Sequence, residues 1–335
     1  MTVSAQVLTV TPNPALDTTY SVPTLTLGHS HRVSVPVVKA GGKGVNVARV
    51  IHQSGYRVHA ILPVGGDSGA LVKTDLAAAG IPHSLVHVSR PTRRSIAIYD
   101  HAAEQATLLN EEGCELTDNE WGRLSESVLQ RLPQAGCLAG SGSLPPNAPE
   151  SFYPDLVKAA RILHLSSVID TSGPALLAAA RAGATVLKPN HHELLEATGE
   201  ADLESGAKML LALGAGLVLV SQGEEGMLAF DSRDPAIFWH ARFPTVIAGN
   251  PTGAGDAAVA AVAVLLAQGS RNVADLLRAA TGWSASAVLM PTAGALHADF
   301  RVMSDAVLIR RQGTARGQSA AASTSAAHTT SAKDS

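Results

Sequence analysis

The hydrophobic positions fall into short runs whose character keeps switching, and the switching predicts an α/β chain. Residues 7–10 are apolar and stop at Thr11-Pro12-Asn13-Pro14, the pattern of a short strand ended by prolines. Residues 17–22 and 31–38 are β-prone and partly alternating, with no helical period between them, which predicts an antiparallel pair. Gly41-Gly42-Lys43-Gly44 breaks the chain, and a helical pattern over 45–53 ends at Gly55. A strand over 57–64, a helix over 67–79 and a strand over 83–88 follow. A second hairpin, 95–99 with 105–109, interrupts this rhythm.

Beyond it the α/β alternation resumes. Thr117, with Glu120 three residues on, forms a capping box that opens a helix over 117–132. Strands over 136–139, 165–170 and 185–187 alternate with helices over 150–163, 174–182 and 203–213. Strands over 217–221 and 227–230 precede helices over 257–267 and 274–290. Repeated strand–helix units predict a mainly parallel sheet covered by helices on both faces, a three-layer α/β/α domain. The two early ribbons do not fit that layering and predict a small β-sheet lid, from about 15–38 and 92–110. No internal repeat is visible.

Composition narrows the classes. The chain has 335 residues, 46% hydrophobic and only 16% charged, enough for one large domain with ample core. A net charge of −3 argues against a nucleic-acid surface, so anionic ligands must be held by local cations or a metal. Cys114 and Cys137 have no metal or redox spacing and read as two reduced thiols. The first residues lack a basic stretch followed by an apolar one, and the longest apolar run, 257–267, is too short to span a membrane. A cytoplasmic protein without membrane partners is the expectation. Residues 313–335 are mostly Ala, Ser, Thr and Gly with almost no large apolar side chain, and are expected to be a disordered tail after a domain over 1–312.

The candidate chemistry centres on Asn250-Pro251-Thr252-Gly253-Ala254-Gly255-Asp256, a glycine turn that opens a helix. Free N–H groups and the helix dipole make such a turn an anion site. Asp256 there is either a first-turn acid favoured by the dipole or a general base beside a phosphate-sized hole. Gly253-x-Gly255-x-x-Ala258 also fits a degenerate dinucleotide pattern, with Asp275 at the offset of a ribose-binding acid. Asn190 and Glu193 share one helix face. They could present oxygens to Mg²⁺ or simply form a capping box, and Lys188 beside them could meet a phosphate. Gly41-Gly42-Lys43-Gly44 is either a glycine cradle that holds a cation against a ligand or a surface turn with one lysine. Arg93 and Arg94 are either a solvated pair or partners of a phosphate. His191-His192 reads as an exposed pair rather than a metal site.

Taken in order, these segments resemble the ribokinase-like (PfkB) carbohydrate kinases, from about Val7 to Arg311. Asn13-Pro14-Ala15-Leu16-Asp17 with Gly41-Gly42-Lys43-Gly44-Val45-Asn46 looks like the branch of 1-phosphofructokinases and tagatose-6-phosphate kinases. Thr92-Arg93, Gly142-Ser143-Leu144-Pro145, Lys188-Pro189-Asn190 with Glu193, Ser221-Gln222-Gly223 with Gly226, and Thr252–Asp256 continue the match. Pro251 and Ala257 depart from the Ser or Thr usual in the family. Thr107 stands where some relatives carry a basic residue.

The resemblance implies a ribokinase-like fold, ATP and Mg²⁺. It implies Asp256 as base and the backbone of Gly253, Ala254 and Gly255 as anion hole. Lys188, Asn190, Ser221, Gly223, Gly226 and Thr252 would bind nucleotide, and Asn190 with Glu193 would organise the metal. Asp17, Gly42, Lys43 and Asn46 would bind the sugar, and Arg93, from the second hairpin, would reach its existing phosphate. The expected reaction is phosphorylation of a ketohexose monophosphate, first fructose 1-phosphate to fructose 1,6-bisphosphate. Tagatose 6-phosphate, fructose 6-phosphate and an unphosphorylated sugar are the alternatives. An NAD-dependent oxidoreductase and a non-catalytic sugar-phosphate sensor are the readings from other classes. The lid edges offer a surface for a homodimer.

Overall fold

A computed structural model describes residues 6–103 and 105–313. In chain order its elements begin with β1 (Gln6–Val10), β2 (Ala15–Val22), β3 (Val37–Gly41), α1 (Lys43–Gln53), β4 (Val58–Val64), α2 (Gly66–Ala78) and β5 (His83–His87). The second ribbon is β6 (Arg93–Asp100) with β7 (Gln105–Asn110). Then come α3 (Asp118–Arg131), β8 (Ala135–Ser141), α4 (Phe152–Ile162), β9 (Ser166–Asp170), α5 (Gly173–Arg181) and β10 (Val186–Leu187). The last part holds α6 (His191–Thr198), α7 (Leu203–Leu213), β11 (Leu217–Ser221), β12 (Met227–Asp231) and β13 (Ile237–Arg242). It closes with α8 (Ala254–Ala267), α9 (Val273–Val288), α10 (Phe300–Asp305) and β14 (Leu308–Gly313).

Ten strands form one sheet in the order β14-β13-β12-β11-β10-β9-β8-β1-β4-β5, parallel from β11 to β5 and antiparallel from β11 to β14. β4 is buried along its whole length, as a central parallel strand must be when helices cover both faces. One apolar layer, with Val47, Val72, Val262 and Leu277, packs α1, α2, α8 and α9 on one face. The other, with Trp121, Leu156, Leu176 and Leu210, packs α3 to α7 on the opposite face. The Thr117 cap forms as its sequence predicts, with the Glu120 side chain returning to the Thr117 N–H at 2.8 Å.

The two ribbons merge into one separate sheet, β3-β2-β6-β7, because β2 runs parallel beside β6 from Ala15↔Arg93 to Val22↔Asp100. The strand expected over 31–38 lies later, over Val37–Gly41. Val33 and Val35 are exposed and Pro36 has no N–H for a ladder, so pairing starts only after it. β13, α10 and β14 have no counterpart in the sequence reading. Their apolar faces are short and half-buried, which blurs the periodic signal. The expected tail from 313 lies outside the described residues except for Gly313, which closes β14.

α8 differs from the other helices: every residue from Asp256 to Val264 is buried. Its Ala/Val composition lets α1, α9 and β8 approach it closely, so its N-terminal turn is held from several sides. Ala260→Leu, at a fully buried position, is expected to destabilise the protein by roughly 1–3 kcal/mol through overpacking. Ala267→Leu, at the half-exposed end, should leave the thermal midpoint nearly unchanged.

Candidate active site

The carboxyl ends of the parallel strands and the lid enclose a cleft of about 1150 Å³. Every residue assigned from sequence to nucleotide, metal, sugar or catalysis lines this one cleft.

At its centre is the first turn of α8. Gly253 has φ 89°, and a Cβ there would come within 2.9 Å of the Ala293 backbone, so only glycine fits without strain. The Ala254 N–H turns back to the Pro251 carbonyl at 3.1 Å, so it shapes the turn. The N–H groups of Gly253 and Gly255 make no such bond among the described residues and remain for an anion, at the positive end of the α8 dipole. The Thr252 N–H is held by the Asn250 side chain at 3.0 Å.

Asp256 is 6% exposed, and its carboxylate accepts a hydrogen bond from the Asn46 side-chain amide at 2.9 Å. Burial, and then the negative charge of Asp170, raise its pKa to about 7; Lys43, the Asn46 hydrogen bond and Lys188 pull the other way. A buried carboxylate that titrates near neutrality suits a general base.

Behind this turn lies an ion-pair network that the sequence reading missed in one member. Asp170, at the carboxyl end of β9, is 1% exposed. Its Oδ1 is 3.4 Å from the Lys43 ammonium and 3.6 Å from that of Lys188. Lys43 also reaches Glu193 Oε1 at 3.3 Å, and these acids hold its ammonium firmly protonated against the opposing effect of burial. The available signal for Asp170 was an acid closing the strand Ser166–Asp170, where parallel sheets place ligands.

At the lid end, Asp17 on β2 sits where any side chain at Gly41 would collide with its carboxylate. Burial raises the Asp17 pKa to about 6, against the pull of Arg93 and Arg49. Arg93 donates to the Asn13 and Glu111 carbonyls at 3.0–3.3 Å, which orients its guanidinium along the cleft wall. Gly42 has φ 98°, and a Cβ there would stand 3.0 Å from the Pro14 Cα. Arg94 and Thr107 do not line the cleft.

At the opposite end, Ser221 closes β11, and Gly223 and Gly226 shape the following turn. A Cβ at Gly226 would run into the Ala241 carbonyl. Phe243, Val246 and Ile247 line the same wall, a segment without secondary-structure signal that sequence reasoning passed over. Asn190 and Glu193 form the capping box of α6, each side chain bonded to the other's N–H at 2.8–2.9 Å. That leaves Glu193 Oε1 facing Lys43 and the cleft.

The remaining candidates lie elsewhere. Asp275 is exposed on α9, away from the cleft, and no strand leads into Gly253, so the dinucleotide pattern lacks its structural context. His191 and His192 stack on each other at 3.9 Å. Among the described residues, no group of three or more His, Cys, Asp or Glu is placed to hold a metal, and no helix is long and apolar enough to cross a membrane. Cys114 and Cys137 are unpaired thiols, and burial pushes the Cys137 thiol up to about 12.

Known proteins are similar to this chain in sequence and fold. A 1-phosphofructokinase from Xanthomonas campestris pv. campestris is 33% identical over 290 residues, covering 84% of this chain and 90% of its own. The structure of phosphofructokinase-2 from Escherichia coli in complex with fructose-6-phosphate superposes with a TM-score of 0.81 at 29% identity, over 90% of this chain and 98% of the other. Ribokinase from Thermotoga maritima shares the fold, with a TM-score of 0.70 at 20% identity over 89% and 99% of the two chains. The profile of the pfkB family carbohydrate kinases matches residues 13–297, and with the cleft just described it establishes that the chain belongs to this family of sugar-phosphorylating enzymes.

Proposed function

We propose that the protein transfers the γ-phosphoryl group of ATP to fructose 1-phosphate, giving fructose 1,6-bisphosphate. The observation that carries the reading is Asp256, a buried carboxylate on the anion-binding turn of α8, with Arg93 at the far end of the same cleft. An unphosphorylated sugar would bring that guanidinium no anion of its own to meet. The similarity to a 1-phosphofructokinase supports the choice of acceptor.

The donor residues fit a nucleotide triphosphate and its metal. Lys188 and the free N–H groups of Gly253 and Gly255 form a cradle for phosphates, and Phe243, Val246 and Ile247 offer an apolar wall for a base. Glu193 and Asn190 present hard oxygens at the cleft rim, suited to an ion that keeps several waters. Mg²⁺ held there would neutralise charge on the phosphate oxygens.

Asp256 accepts the proton of the sugar hydroxyl as that oxygen forms its bond to the γ-phosphorus. The bond from the γ-phosphorus to the bridging oxygen breaks, and its electron pair leaves with ADP. Asn46 holds the Asp256 carboxylate in one orientation. The N–H groups of Gly253 and Gly255 accept the charge spread over the transferring group without reorganising. Asp17, Gly42 and Asn46 would orient the sugar, and Ser221, Gly223, Gly226 and Thr252 the nucleotide.

A second reading, phosphorylation of fructose 6-phosphate or tagatose 6-phosphate at the 1-hydroxyl, is favoured by the likeness to the fructose-6-phosphate complex. ADP release measured with the three phosphosugars, and with fructose and ribose, separates these readings. The expected result is the highest kcat/KM with fructose 1-phosphate, and turnover confined to unphosphorylated sugars would refute the assignment.

Asp256→Asn should bind ATP normally and lose roughly two to four orders of magnitude in kcat, the usual worth of a positioned base. In the wild type the base must be deprotonated, so kcat/KM should rise with pH to a plateau above an apparent pKa near 7. The residual activity of Asp256→Asn should lack that limb. A homodimer joined through the lid belongs to the same proposal, supported by the exposed edge strand β7. Sedimentation should report twice the chain mass, and a charge placed at exposed Leu109 should return it to one.

A further inference from the structure

The network behind the cleft holds two ammonium groups on a single carboxylate oxygen. Asp170 is 1% exposed and Lys188 3%. A carboxylate so buried is costly unless paired. Yet the pairing is loose: 3.4 Å to Lys43 and 3.6 Å to Lys188, longer than the ~2.7–2.9 Å of a strong charge-assisted bond. Oδ2 has no hydrogen-bond partner among the described residues. A purely structural ion pair in the interior would be close and saturated. This one fixes the position of two cations while leaving donors on both unused. Each ammonium carries three, and among the described residues Lys43 engages only Asp170 and Glu193, Lys188 only Asp170.

Both cations face the reacting turn. Lys188 Nζ is 3.4 Å from the point where a Cβ on Gly255 would stand, so it lies against the backbone of the anion hole. Lys43 reaches Glu193, and its charge acts on Asp256. Neither ammonium contacts Asp17 or Arg93 at the lid end. The resemblance assigned Lys43 to the sugar. Its ion pairs run to Asp170 and Glu193, on the side of the cleft that holds Lys188 and Asn190.

We propose that Asp170 is a positioning residue for phosphoryl transfer. It aligns Lys43 and Lys188 on the transferring group, so that Lys43 works there and not on the phosphate the sugar already carries. The inference rests on the kinase reading above. The charge on the transferring oxygens is the ligand that the loosely held ammonium groups await. Asp170 returns each of them to the same place after turnover, because its single buried oxygen anchors both.

Kinetics of variants of the full chain decide the matter, measured per folded enzyme with phosphosugar and ATP varied separately. A cation that acts mainly in the transition state lowers kcat when removed, whereas one that holds the sugar phosphate raises KM. Lys43→Gln is expected to lower kcat roughly 10²-fold, the usual worth of one donor on a transferring group. Its KM for the phosphosugar should stay within about threefold of wild type. Lys43→Arg, which keeps the charge, should recover part of the lost kcat. Asp170→Asn should lower kcat with the same small change in KM. Its effect should be several-fold smaller in the Lys43→Gln background, because it acts through that lysine.

A KM for the phosphosugar raised tenfold or more by Lys43→Gln, with kcat retained, would overturn the inference. So would effects of Asp170→Asn and Lys43→Gln that simply multiply. If Asp170→Asn does not fold, the Lys43→Gln and Lys43→Arg split decides alone. Failure of the acceptor assignment appears separately, as wild-type turnover with another sugar, and the same split measured with that sugar still decides where Lys43 acts.

Discussion

A helix that is buried on every side can end in only one place, and the chemistry of this protein is built on that end. α8 is hemmed in by α1, α9 and the sheet, and its small side chains leave no room to rock. Its first turn therefore points its free N–H groups at a fixed spot in the cleft, and Gly253 makes the turn in a conformation other residues avoid. Preorganised donors of this kind stabilise developing charge without having to move when the charge appears.

The electrostatics follow from the same packing. Burial raises the Asp256 carboxyl above the usual range, and the negative charge of Asp170 raises it further. Lys43 and Lys188 keep the balance within reach of neutrality. The balance is local: a chain of net charge −3 can still hold anionic substrates because its cations converge at one place. Asp17 and Arg93 repeat the arrangement at the lid end, where β2 and β6 run side by side and bring residues 76 positions apart into one wall.

Much of this was legible in the chain. The strand–helix alternation, the lid and most element positions followed from periodicity and turn residues, since those signals are local. The cap at Thr117 is one such case. The Asn190/Glu193 pair is another: its side chains form the capping box that their three-residue spacing allows. Strands 217–221 and 227–230 were visible, but β13 and β14 were not. Edge strands with half-buried, mixed faces carry little period.

What the sequence determined by itself was the inventory: a glycine turn with an acid opening a helix, a glycine cradle with a lysine, an arginine in the second ribbon, and the order that joins them to a family. Tertiary structure decided how these parts are paired. Asp170 was an unremarked acid at a strand end until β9 was set beside β8 and β10, and Lys43 and Lys188 then met on its one oxygen. Lys43 shares its stretch of sequence with other sugar-site candidates, and its ion-pair partners, Asp170 and Glu193, are 127 and 150 residues away. No local pattern encodes contacts of that range, because they exist only once the sheet order brings the carboxyl ends of its strands together.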